Sequence, residues 1–160
     1  MLISKHDQRG VSLIESMIAL LVISIGLLGI AALQITAMGQ NTSALHHSQA
    51  VWIAYNMSDR IRANINQFSN YNGVDTINSY TQDCMSAACS SAQMLTADAA
   101  DWTAMVSSLP TGRGIIATPV TANELNVTVM WDDEGAGGTG TGCSNDPAVD
   151  LTCYTLVVTQ

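Results

Sequence analysis

A single carboxylate stands in the most apolar part of the chain. Residues 11–33 read VSLIESMIALLVISIGLLGIAAL, and Glu15 is the sole ionisable side chain among those 23 residues. An acid in hydrocarbon costs a few kcal/mol on insertion scales, so an acid kept there points to a functional partner. The second group able to do chemistry is the four cysteines, Cys84, Cys89, Cys143 and Cys153. An even number permits three complete pairings, and proximity in sequence favours Cys84 with Cys89 and Cys143 with Cys153. A zinc site is the alternative, but the spacings C-x4-C and C-x9-C fit no common zinc pattern. The third group is the acidic, glycine-rich stretch DDEGAGGTGTG at residues 132–142. Asp132, Asp133 and Glu134 offer hard oxygens to calcium, without the alternating ligand spacing of a known calcium loop. As a phosphate cradle the stretch lacks the Lys-Ser/Thr ending and the following helix. A plain acidic hairpin loop is the favoured reading. His46 and His47 are adjacent and point to different sides of a helix, which argues against a shared metal. No Ser, Cys or acid pair has an orienting partner, so neither an enzyme nor a cofactor is expected.

The elements that must position these groups follow from the hydropathy pattern. As a helix, residues 11–33 span about 35 Å, enough for a hydrocarbon core of roughly 30 Å. The run exceeds the 7 to 15 residues expected of a signal-peptide core. Lys5 and Arg9 precede it, and the next basic residues are Arg60 and Arg62. The positive-inside rule then puts the N-terminus in the cytoplasm and the cysteines in an oxidising periplasm, where disulfides form. Gly26, Gly29 and Gly39 each weaken a helix by roughly 1 kcal/mol relative to Ala, and the first two mark points of loosening or close packing.

Beyond the run, Val51, Ala54, Tyr55, Ile61, Ile65 and Phe68 recur at helical spacing, an amphipathic stripe that carries the helix to residue 68. The composition then turns to Asn, Ser, Thr and Gly. TADAADWTAMVSSLP predicts a short helix with Asp98 and Asp101 near its positive end, Trp102, Met105, Val106 and Leu109 on its inner face, and Pro110 as its stop. Residues 114–120, 124–131 and 153–159 read as strands, the last two with clear alternation. A long N-terminal helix followed by strands predicts an α+β fold with an antiparallel sheet. The 160 residues suit one domain with a short appendage. With 5 basic against 13 acidic side chains, the net charge of −8 gives no attraction for a phosphate backbone, and no direct nucleic-acid binding is expected.

Around the lone acid the order is Arg9-Gly10-Val11-Ser12-Leu13-Ile14-Glu15, which resembles the class III signal of type IV prepilins. The resemblance implies a leader at residues 1–10, cleavage between Gly10 and Val11 by a prepilin peptidase, N-methylation of Val11, and a subunit-assembly role for Glu15. It implies a pilin fold in which residues 11–35 cross the membrane and later form the filament core. Residues 36–68 then form the amphipathic half of the same helix, and 69–160 a periplasmic head. The region bounded by Cys143 and Cys153 resembles the disulfide-bounded C-terminal region of pilins. Val11 stands where most major pilins have Phe, and Ala32 where many have Pro. The start GVSLIESMIALLVISIGLLGIAALQ, the D-W-x-x-x-V-x-x-L-P helix and the VTVMWDD strand resemble the pilus modification protein PilV, a minor pilin. That resemblance implies a subunit that primes pilus assembly in a tip complex. Its partners would be other minor pilins, the major pilin, the inner-membrane assembly platform and a tip adhesin. A minor pseudopilin of type II secretion, or a tip subunit that binds a surface itself, is the alternative.

Overall fold

The computed structural model describes residues 12–119 and 123–160. Its elements are helix α1 (Leu13–Ala63), a 3-10 helix (Ile65–Tyr71), helix α2 (Ser91–Val106) and strands β1 (Arg113–Ala117), β2 (Glu124–Trp131) and β3 (Thr152–Thr159). This is an α+β fold, as the pattern of elements predicts. Val120, placed at the end of the first predicted strand, lies outside the described residues. The chain divides into two units after Asn41.

In the first unit α1 is apolar on every face. Leu13, Leu20, Val22, Ile25, Leu28 and Leu33 are all exposed. The helix is long and apolar enough to cross a membrane. Two of its hydroxyl side chains bond back to the helix. Ser24 Oγ donates to the Leu20 carbonyl at 2.7 Å and Thr36 Oγ1 to the Ala32 carbonyl at 3.2 Å. Such back-bonding lets a hydroxyl exist where no water is available.

The second unit, Thr42–Gln160, has a core of its own. The last five turns or so of α1 bury Ala50, Ile53, Ala54, Met57 and Ile61, at i, i+3, i+4, i+7 and i+11. Of the expected stripe Ala54, Ile61 and Phe68 are buried, whereas Val51 is only partly covered and Tyr55 and Ile65 are exposed; Ala50, Ile53 and Met57 complete the buried face. The two small residues, Ala50 and Ala54, turn inward and allow close approach, and the bulky Trp52 and Tyr55 turn out. The helix also stops at Ala63 rather than reaching Phe68, and Phe68 and Tyr71 enter the core from the 3-10 helix instead.

The sheet has the order β1-β2-β3, antiparallel throughout. On β2, Leu125, Val127, Val129 and Trp131 face the core, opposite Ile116 of β1 and Val158 of β3. Met130, expected on the outer face, is buried too, as is Leu151, both outside the main cluster. The long segment between β2 and β3 thus covers part of the outer face. Helix α2 packs Ala99, Trp102 and Val106 into the same core. A Cβ on Gly114 would lie 2.5 Å from the Trp102 ring, so β1 must be bare there for the indole to fit.

Candidate functional site

Gly10 and Val11 lie outside the described residues. Glu15 stands in the first turn of α1, its N–H donating to the Ser12 carbonyl at 2.9 Å. A carboxylate is favoured there by the positive end of the helix dipole. Among the described residues none of the ion pairs includes Glu15. From Ser16 to Ser58 the chain contains no Asp, Glu, Lys or Arg, so Glu15 is isolated in sequence from the next formal charge, Asp59.

The structure pairs Cys84 with Cys89 and Cys143 with Cys153. The first bridge closes a loop just before α2, and the second ties the glycine-rich segment to the start of β3. That segment is organised by the chain's own carboxylates. Asp150 accepts hydrogen bonds from the N–H of Gly142 and of Ser144, both at 3.1 Å. A Cβ at Gly140 would lie 2.0 Å from Asp150 Oδ1, so glycine is what lets the backbone close around the acid. Hydrogen bonds from Ser144 and Gly142 hold the Asp150 carboxyl below its ordinary range. Asp132 does the same upstream, accepting from the N–H of Ala136 at 3.1 Å and of Gly137 at 3.0 Å. The amide-rich backbone that resembled an anion cradle is therefore filled from within.

The calcium candidates are separated by these roles. Asp132 is turned into its own loop, and Asp133 is turned toward α1. Among the described residues no group of three His, Cys, Asp or Glu side chains is placed to hold a metal ion. Asp133 accepts from Trp131 Nε1 at 2.9 Å and from the Ser43 hydroxyl. His46 Nδ1 lies 3.5 Å from Asp133 Oδ1. Burial pushes the Asp133 carboxyl up, but the bonds from Ser43 and Trp131 and the nearby His46 outweigh it and hold the group low. The neighbouring His47 meets Trp131 and Tyr154 edge-on, with ring centroids 6.1 and 5.8 Å apart. The two histidines thus point to different groups, as adjacency on a helix requires.

Comparison with known protein families gives two matches. The prokaryotic N-terminal methylation motif matches residues 5–31, and the family described as type IV pilin Tt1218 matches residues 32–100. Together they run without a gap over more than half of the chain. Over these residues the chain is similar to type IV pilins. No curated protein and no solved structure matches it significantly. The family is structural rather than enzymatic, and the motif implies processing by a prepilin peptidase and assembly into a pilus. Motif and apolar helix together fit membrane anchoring. The sheet and the second disulfide lie beyond the matched residues, so the chain carries its least family-typed surface at its C-terminal end.

One part of the head was not legible from sequence. Arg60 Nη1, near the end of α1, lies 3.0 Å from Asp98 Oδ1 and 2.9 Å from Asp101 Oδ2. The Tyr71 hydroxyl donates to Asp98 at 2.6 Å, and Asn64 Nδ2 reaches both Tyr71 and the Ser91 carbonyl. Burial, then the bond to Asp98, pushes the Tyr71 hydroxyl up. Asp98 and Asp101 do not mark the positive end of α2. That helix starts at Ser91, behind a capping box in which Ser90 and Gln93 bond each other's backbone. The S-x-x-Q spacing was the signal that could have placed the start. The two acids sit in mid-helix because Arg60 faces them.

Proposed function

We propose that this chain is a minor pilin of PilV type, one that helps prime and build the pilus within a tip complex of minor pilins and an adhesin. The observation that carries the reading is the isolation of Glu15, the one formal charge of α1 before Asp59. Cleavage after Gly10 leaves a cationic amino group on Val11, about one turn from Glu15. Each charge is costly alone in a low dielectric and attractive to its opposite. An acid of one subunit that meets the new N-terminus of a neighbour satisfies both and fixes the axial register of the growing filament. The leader occupies residues 1–10, the filament-core segment 11–35, and the head lies in the periplasm before assembly. The resemblance to PilV over residues 9–35 and 98–133 supports a low-abundance role over that of the main shaft subunit.

Replacing Glu15 by Ala tests the pairing. The variant is expected to be cut normally at Gly10 and to be missing from sheared pili; normal incorporation sinks the argument. A deletion strain tests the priming role, with few or no surface pili expected. Unchanged pilus number with lost attachment would favour a directly adhesive subunit, and loss of protein secretion with intact pili a pseudopilin.

A further inference from the structure

The sheet is closed on one side and open on the other. Along the outer edge of β1, Gly73 N–H donates to the Ile116 carbonyl at 2.9 Å, Ile116 N–H to Val74 at 2.8 Å, and Thr76 N–H to Gly114 at 2.9 Å. Residues 73–76 thus act as a fourth strand. On the other side Gln160 N–H bonds the Asn123 carbonyl, which fixes the parity of the β2–β3 ladder. With the pairing Leu125 to Val158 and Val127 to Leu156, the even-numbered residues of β3 bond inward. Thr155, Val157 and Thr159 therefore aim N–H and C=O away from the sheet. Among the described residues no loop or side chain bonds those groups.

Nothing in β3 discourages pairing. TCYTLVVT contains no charge and no proline, the usual devices that blunt an edge. Its apolar residues are also left uncovered. Val157 is 50% exposed, Tyr154 and Leu156 are partly exposed although they face the core, and Tyr55 of α1 is 48% exposed. The core-facing residues of β2 are at most 1% exposed.

We infer that the β3 edge is a docking site for an extended segment of a different protein, added as a strand of the sheet. Charge selects the occupant. Glu134 and Asp150 line the groove beside Cys153 and Thr155. All three arginines of the second unit are already ion-paired, to Asp98 and Asp101, to Asp59 and to Asp75. With eleven acids against three arginines the second unit is strongly acidic, which opposes pairing two copies edge to edge. The fitting partner is a strand with β-branched residues in its middle and lysine or arginine at its flanks. This inference does not depend on the place of the subunit in the pilus.

The test uses the full chain in detergent micelles and a synthetic peptide of alternating threonine and valine with lysine at both ends. Adding the peptide is expected to slow amide exchange at Thr155, Val157 and Thr159 roughly tenfold. Val157→Pro removes an outward N–H and leaves the inward ladder of Leu156 and Val158 in place, so protection by the peptide should vanish while Val127 and Val129 stay protected. Val157→Lys provides a second block that needs no backbone change, and a peptide ending in glutamate should protect less at low salt. Unchanged exchange at the three amides, or protection that survives both variants, overturns the proposal. So does protection that rises with protein concentration without peptide, which would mean self-pairing.

Discussion

Residues 13–41 and 42–63 belong to one helix, yet they answer to different solvents. In the first stretch Leu21, Ile23 and Leu28 are 57 to 71% exposed, whereas in the second Ile53, Met57 and Ile61 are at most 1% exposed. The same α-helical backbone is held in two ways. The second stretch is specified by its own core, where each side chain fills a shaped space. The first is specified by hydropathy alone, and its covering must come from lipid or from other helices. Charge follows the same division. Glu15 is the lone formal charge of the first stretch, whereas Asp59, Arg60 and Arg62 gather at the end of the second. Of these, Arg60 is an internal tie.

Matched truncations break the comparison most directly. Ile53→Ala is expected to cost the head about 3 kcal/mol in unfolding free energy, since it removes a buried side chain and leaves a cavity. Ile23→Ala should leave head unfolding unchanged and weaken membrane insertion by a few tenths of a kcal/mol. Equal effects on the fluorescence-detected unfolding of the full chain in micelles would show that the stretches are not distinct. The charges give the next largest effect. Asp98→Ala removes the acceptor of the buried Tyr71 hydroxyl and one of the two carboxylates on Arg60, and should cost about 1 to 3 kcal/mol, while Glu15→Gln should not move head stability. Calorimetry on the two variants separates a structural charge from one held for assembly.

Reducing the disulfides tests whether covalent ties matter only in the second unit. Opening Cys143–Cys153, with a sequence separation of 10, should cost about 2.5 kcal/mol. The shorter Cys84–Cys89 loop, with a separation of 5, should cost about 2 kcal/mol. Helicity of residues 13–41 should not change in circular dichroism. The smallest effect is expected from acid. The Asp133 carboxyl is lowered in the folded head, so the stability it contributes is complete above about pH 4 and is lost as pH falls through the folded value. Asp133→Asn should flatten that acid limb by less than about 1 kcal/mol, and an unchanged limb would remove Asp133 from the account.

What could be read from sequence was local. Glu15 is conspicuous because its neighbours are apolar for a full membrane width. β2 and β3 declare themselves by alternation, and the cysteine pairs found in the structure are those nearest in sequence. The failures were cases in which a distant residue decided the outcome. Asp98 looked like a helix-terminal acid because Arg60 is 38 residues away in the chain. The stripe on α1 is legible at Ala54 and Ile61 but not at Ala50, Ile53 and Met57, because the shape of the core beneath, and not residue size, decides which flanking positions are covered. The glycine-rich segment was opaque because its donors are backbone amides, which no residue letter records.

The closed nests around Asp132 and Asp150 set different freedoms for different positions. Gly140, Asp150, Cys143 and Cys153 are bound to one another by backbone geometry and a covalent bridge, and a change at any of them must be answered by the rest. Thr141, Asn145 and Ala148 are exposed and take no side-chain part in that scaffold. The loop can therefore drift in appearance while its path stays constant, displaying new side chains on an old frame without disturbing the helix or the sheet beneath it.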